Sequence, residues 1–188
     1  MNKIQKVSYY VSWLLNFLII AIPSFLLLNW IFIDSEIMKN LSHKGIFVLS
    51  YSEGGVYTDL SLIKWTIFSK FLGFMAYLFG VLPLLFNLYY LKKVFINYSV
   101  GEIFNVLNAK YYNNIAWIFF LSAVLIKPIG DMLLTFAVTM SNPVGQRYIY
   151  LGFGTPNLQD IFFGILVIVI SWVMLEASKI QTEYKFTI

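Results

Sequence analysis

Lys127-Pro128-Ile129-Gly130-Asp131 sets a base and an acid four residues apart within the mainly apolar stretch Asn114–Thr139. On a helix that spacing puts both charges on one face. At ~1.5 Å per residue from Asn114, Lys127 lies ~20 Å along the helix, and Asp131 ~6 Å beyond it. Charges at such depth face a protein interior and find partners, because lipid cannot solvate them. Lys70, near one end of another apolar stretch, falls at a depth close to that of Asp131. The expectation is that Asp131 is shared between Lys127 on its own helix and Lys70 across an interface. Two readings follow: a gate, proton-linked switch or ligand anchor, or a buried ion pair that sets helix register. Proton relays usually need several acidic or histidine groups, and only one obvious acid lies this deep. No retinal- or aldolase-like feature supports a Schiff-base lysine.

Asn16, Asn87 and Glu176 each fall within two turns of one end of their apolar stretch, with Trp117 at similar depth. They could form one hydrogen-bonded cluster where a partner docks, or reach interfacial water separately. Enzyme signatures are missing. His43 is the single histidine and there are no cysteines, so one chain holds no histidine pair for haem and no thiolate metal site. There is no nucleophile elbow, zincin helix or phosphate-cradling loop. Glu36, Glu53, Asp59 and His43 match no metal-ligand spacing, so no metal or other cofactor is expected. Asn40-Leu41-Ser42 fits a glycosylation sequon.

These residues must be positioned by membrane helices. Of 188 residues, 60% are hydrophobic and 12% charged, against about 25% charged in a soluble domain. So little charge leaves the surface to be covered by lipid. A span takes about 20 apolar residues, and four stretches qualify: Val11–Ile33, Trp65–Leu91, Asn114–Thr139 and Ile161–Ala177, the last extendable to Leu158 and Ser178. The fold class expected is an all-α antiparallel four-helix transmembrane bundle forming one domain over residues 1–188. The first span is too long for a signal-peptide core and lacks a cleavage site, so it reads as a retained anchor. The net charge of +4 comes from scattered residues, which argues against direct nucleic-acid binding.

Lysine and arginine set orientation. With both termini in the cytoplasm, Lys3, Lys6, Lys92, Lys93, Lys110, Lys179 and Lys185 lie inside, and Lys39, Lys44, Lys64 and Arg147 outside, with Lys70 near that boundary. In the outer loops, Ile46–Tyr51 and Arg147–Phe153 carry β-forming residues, with turn glycines at Gly54–Gly55 and Gly152–Gly154. Paired, they would form a small extracytoplasmic cap; unpaired, they are irregular apolar loop.

Small residues mark where helices approach in lipid. Ser69, Gly73, Ala76 and Gly80 share a face of span two, while Gly164, Ser171 and Ser178 recur every seven residues in span four. Both stripes read as helix contacts. Pro23, Pro83 and Pro128 lie inside spans, each removing a backbone donor.

Phe95-Ile96-Asn97-Tyr98-Ser99-Val100-Gly101-Glu102-Ile103-Phe104 resembles the "F-x-x-(Y/F)-S-x-G-x-(I/V)-F" loop of the YoaS-like family of small bacterial membrane proteins (DUF2975), a domain of unknown function. The tail from Glu176-Ala177 through Glu183 to Phe186-Thr187-Ile188 is similar to that family's ending, departing at Lys185 and Ile188. The resemblance implies a bacterial inner-membrane protein and no particular reaction. It also suggests partners among small helix-turn-helix regulators. Physically, Ser99 and Glu102 fit the cap and third position of a short surface helix, presenting Glu102, Asn105 and Asn108 to the cytosol. The candidate docking residues are then Tyr98, Ser99, Gly101, Glu102 and Phe104. The expected role is a non-enzymatic regulator or accessory subunit acting through its cytoplasmic loop and tail, the partner being a membrane-complex subunit or such a regulator. The alternative is a small transporter or ligand-sensing bundle using Lys70, Lys127 and Asp131.

Overall fold

A computed structural model describes residues 2–46, 50–53, 56–143, 145–151 and 155–186. Helix α1 (Lys3–Phe32) opens with a reciprocal cap. Asn2 Oδ1 accepts from the Gln5 amide at 3.0 Å and Gln5 Oε1 from the Asn2 amide at 2.9 Å, which satisfies donors that a helix start leaves unpaired. Helix α2 (Glu36–His43) is short, its Ser35 cap accepting from the Met38 amide. Then come α3 (Ile67–Ser99), α4 (Val106–Leu121), α5 (Lys127–Thr139) and α6 (Thr155–Phe186), with a single π-helical turn, Ser122–Ile126, joining α4 to α5.

Among the described residues, four helical segments are long and apolar enough to cross a membrane: Lys3–Phe32, Ile67–Ser99, Val106–Thr139 and Asn157–Tyr184. Between 11% and 33% of their most apolar windows is buried within the chain. The rest of that apolar surface must be covered by lipid, so this is an integral membrane protein. Most of the helices run past the apolar stretches read from sequence, because backbone hydrogen bonding continues through the headgroup region where side chains need not be apolar.

The connection from α1 to α3 holds the β structure. Strands β1 (Ser50–Glu53) and β2 (Val56–Asp59) pair antiparallel with Ser50 opposite Asp59 and Glu53 opposite Val56. The partner of Ser50 and Tyr51 is thus a local strand, not the Arg147–Phe153 segment, and residues 147–151 take no strand conformation. Local closure needs a short loop, whereas the expected pairing needs two distant loops to meet. Residues 47–49, 54–55 and 152–154 of that expectation lie outside the described residues, as do Thr187 and Ile188 of the tail.

Close contacts divide the chain into two compact units: Met1–Ile22, Gly80–Lys127 and Phe153–Ile188 form one, Pro23–Phe79 and Pro128–Gly152 the other. In the first unit α4 and α6 run antiparallel. Ser171 Oγ donates to the Ala109 carbonyl at 2.8 Å, and a Cβ at Gly164 would lie 3.1 Å from the Phe120 ring. In the second, α1 and α3 are antiparallel around Trp30, which is 3% exposed and packs edge-on to Trp65 and Tyr77. A Cβ on Gly73 would come within 2.2 Å of the Trp30 ring. Ser69 and Ala76 are buried on the same face. Gly80, the fourth of that stripe, behaves differently: a Cβ there meets nothing within 4 Å.

Candidate functional site

The π turn follows from Pro128 and governs its surroundings. The Lys127 amide bonds the Ser122 carbonyl, five residues back. In that register the Ala123 carbonyl should accept from residue 128, which as proline has no N–H. Asn157 of α6 supplies the missing donor, its Nδ2 lying 2.6 Å from the Ala123 oxygen. One turn along α6, Asp160 meets the Lys127 ammonium at 2.7 Å. The pair is partly screened, with 30% of the Lys127 side chain and 16% of Asp160 accessible.

Lys127 and Asp160 line a cleft of about 460 Å³ within the first unit, well inside the usual range for small-molecule sites. One wall is a face of α3 with Gly80, Leu84, Asn87 and Leu91; the other is a face of α4 with Tyr112, Ile115 and Phe119, continued by Ser122 of the π turn. Val167 of α6 contributes to the lining. Gly80 leaves the cleft open where a side chain would narrow it. Asn87 Oδ1 is buried and has no hydrogen-bond partner. An unmet acceptor in a low-dielectric wall costs free energy unless something brings it a donor.

In the second unit Lys70 donates to Asp34 Oδ1 at 2.7 Å and to the Ile31 carbonyl at 3.0 Å. The Lys70 hydrogen bond holds the Asp34 carboxyl below its ordinary value of 3.8, against a smaller upward push from burial. Each lysine is therefore met by an acid outside the expected trio: Asp34 for Lys70, Asp160 for Lys127. Lys70 thus pairs with Asp34 where Asp131 was expected. Asp131 is exposed, and its backbone carbonyl accepts from Thr135 Oγ1 at 2.8 Å.

Asn16, Asn87 and Glu176 do not form the expected shared cluster. Asn16 accepts from Lys92 Nζ at 2.6 Å, Glu176 pairs with Lys179 at 2.9 Å on an exposed surface, and Asn87 faces the cleft. Trp117 is exposed.

The segment 95–108 is a hydrogen-bonded corner between α3 and α4, and it differs from the short helix expected. Ser99 still belongs to α3, and its hydroxyl bonds back to the Ile96 carbonyl. Gly101, at φ +91°, ends α3: the Glu102 amide bonds the Asn97 carbonyl and the Gly101 amide the Tyr98 carbonyl, the paired bonds of a glycine-terminated helix. A Cβ on Gly101 would also meet Gln5 Nε2 at 2.9 Å. The following helix is capped by Asn105 rather than Ser99, and Glu102 accepts from the Asn105 side chain. Asn108 is fully buried rather than cytosolic. It donates to the Glu102 and Ile103 carbonyls and accepts from Asn97, while the Tyr98 and Tyr112 hydroxyls share a hydrogen bond at 3.1 Å. Phe104 lies exposed beside a groove reaching Ser178, Gln181 and Thr182 of α6.

Sequence reasoning missed Asp34, Asn157 and Asp160. Asn157 continues the Gly164, Ser171, Ser178 series one step back, and Asp160 shares that face, so the signal was present. No curated protein and no solved structure matches the chain. The model of the DUF2975 family, proteins of unknown function, matches residues 48–188, three quarters of the sequence, and the chain belongs to that family.

Proposed function

We propose that this protein is a non-enzymatic, ligand-sensing membrane bundle that holds a small amphiphile in the cleft beside Lys127 and Asp160. The carrying observation is an ion pair at 2.7 Å set in the otherwise mainly apolar lining of the cleft. An apolar cleft with a few fixed polar groups is the usual form of a small-molecule site. Lys127 and Asp160 fix the orientation of a polar head, and the leucines of α3 accept its tail.

A ligand that binds only the folded state raises its stability by mass action. Fractionated lipids of the host membrane, added to protein in phosphatidylcholine nanodiscs, should include a fraction that raises the thermal midpoint of wild type but not of Gly80→Leu. If every fraction acts equally on both, the reading is wrong.

The site belongs, in this proposal, to a bacterial inner membrane with both chain termini cytoplasmic. Gln5, Gly101 and Thr182 lie together at one end of the first unit, and the lysine excess falls on that end. Reporter fusions at Asn105 and Gln146 test this; an external Asn105 would reverse it.

A second reading, a regulator or accessory subunit docking a partner protein, is favoured by the exposed Val100, Phe104 and Leu107 at the corner. The partner would be a membrane-complex subunit or a helix-turn-helix regulator. Phe104→Ser with Leu107→Ser leaves the buried corner bonds intact, and should release a stoichiometric partner recovered by gentle detergent extraction. A partner retained by that variant would rule this surface out.

A further inference from the structure

Lys93 stands two residues beyond the apolar stretch that ends at Leu91 and ~9 Å short of the end of α3 by helical rise, so it lies at headgroup level. Its ammonium does not reach away into water, as lysines at span ends usually do. It lies back along the helix, 4.7 Å from the centre of the Tyr89 ring and 5.7 Å from that of Tyr111 on α4, and Tyr111 also packs on Tyr90. Ring faces attract a cation without cancelling its charge. Among the described residues no carboxylate pairs with Lys93, in contrast to Lys70, Lys127 and Lys179. Lys93, Tyr89 and Tyr111 take no part in lining the cleft described above. We infer that this notch between α3 and α4 is a separate site that holds one anionic phospholipid, by its phosphate, in the leaflet on the corner side.

Charge and order along the helix choose the ligand. An ammonium with no acid beside it selects an anion, and charge-assisted bonds to phosphate oxygens are strong. Tyrosine hydroxyls can donate to the same group. The face continues toward the hydrocarbon through Tyr89 and Phe86, four and seven residues before Lys93 and both exposed, the spacing of one helical stripe. Cation, phenol and phenyl thus follow one another in the order of phosphate, glycerol backbone and acyl chain. A nucleotide or an acidic peptide would satisfy the cation but has no hydrocarbon to lay on Phe86. Lys92 supplies the contrast: it bonds Asn16 Oδ1 of α1 at 2.6 Å, away from the two rings.

The test uses full-length protein in nanodiscs of phosphatidylcholine and phosphatidylglycerol with matched chains, and native mass spectrometry of the lipid retained on release. Wild type should retain one phosphatidylglycerol in preference to phosphatidylcholine by about fivefold, the worth of one lysine at an anionic surface. Lys93→Gln should lose that preference and Lys93→Arg should keep it. Lys92→Gln removes the same charge one residue away and should keep it too. Tyr111→Leu, which retains the charge and removes one ring that seats it, is the second variant and should weaken the preference. A preference unchanged in both Lys93→Gln and Tyr111→Leu would overturn the site. Equal losses in Lys92→Gln and Lys93→Gln would overturn it as well, in favour of a diffuse basic surface. Displacement of the retained lipid by soluble glycerol phosphate would overturn the phospholipid as the ligand.

Discussion

The Asn157 side-chain amide lies 2.6 Å from the Ala123 carbonyl oxygen and stands in for a backbone donor that Pro128 cannot provide. Asn157 is 7% exposed, so no water readily replaces it. Asn157→Leu should cost about 1–2 kcal/mol, within the range of buried and intramembrane hydrogen bonds. Pro128→Ala returns an N–H at the position where Ala123 needs one. The double variant should therefore recover most of the loss, measured by unfolding in mixed micelles with increasing dodecyl sulfate. A double variant no more stable than Asn157→Leu would show that the bond does not compensate the proline.

That relationship marks the limit of what the residues alone reveal. The four spans were legible because length and hydropathy decide them. The small-residue stripes were legible because helical spacing does; three of four positions in Ser69–Gly80 pack as spacing dictates. Partners were not legible in the same way. Asp34 lies beyond the end of α1, as an apolar stretch ending at Ile33 predicts, and only packing brings Lys70 to it; Asp160 precedes the stretch Ile161–Ala177, yet α6 starts at Thr155 and carries Asp160 on its packed face. At the corner, Ser99 and Glu102 spell a capping box, but Gly101 ends α3 in the left-handed region first, and the next helix takes Asn105 as its cap. Local signals competed there, and the glycine won.

Lys127 and Asp160 form an ion pair whose members should be worth little together and costly apart. Removing one partner from a buried pair costs ~3–5 kcal/mol, and the partial exposure of both places Lys127→Met and Asp160→Leu at the lower end. The double variant should regain much of the loss, since apolar replacements leave no uncompensated charge. A thermodynamic cycle on the three variants reads the coupling; strictly additive losses would mean the two charges do not sense each other.

Gly73 and Gly80 are seven residues apart on α3, yet alanine should act oppositely at them. At Gly73 the new methyl would sit 2.2 Å from the Trp30 ring, a rigid and buried neighbour, so overpacking should cost about 1–3 kcal/mol. At Gly80 it meets open space, and the higher helix propensity of alanine should stabilise by up to about 1 kcal/mol. Thermal midpoints of the two variants in the same nanodiscs decide the matter. Equal effects would contradict the packing of Trp30.

Asp34 gives the connection between α1 and α3 an acid dependence. Its folded carboxyl lies below the ordinary 3.8, chiefly because Lys70 donates to it. A depressed carboxyl contributes stability that is fully present above the unfolded value and is lost as pH falls through the folded one. Asp59 acts in the same direction: burial raises it, but bonds from Ser42 and Ser61 outweigh that and leave it lowered from 3.8. Lowering pH from 6 to below the ordinary carboxylate value should loosen this segment, read by the fluorescence of Trp30 and Trp65, whose rings lie 5.2 Å apart. Asp34→Asn should flatten part of the acid transition and Asp34→Asn with Asp59→Asn more of it. Wild type and the Asp34 variant should converge at the acid end, where both lack the charge. An unchanged transition in the double variant would place the acid sensitivity elsewhere in the chain.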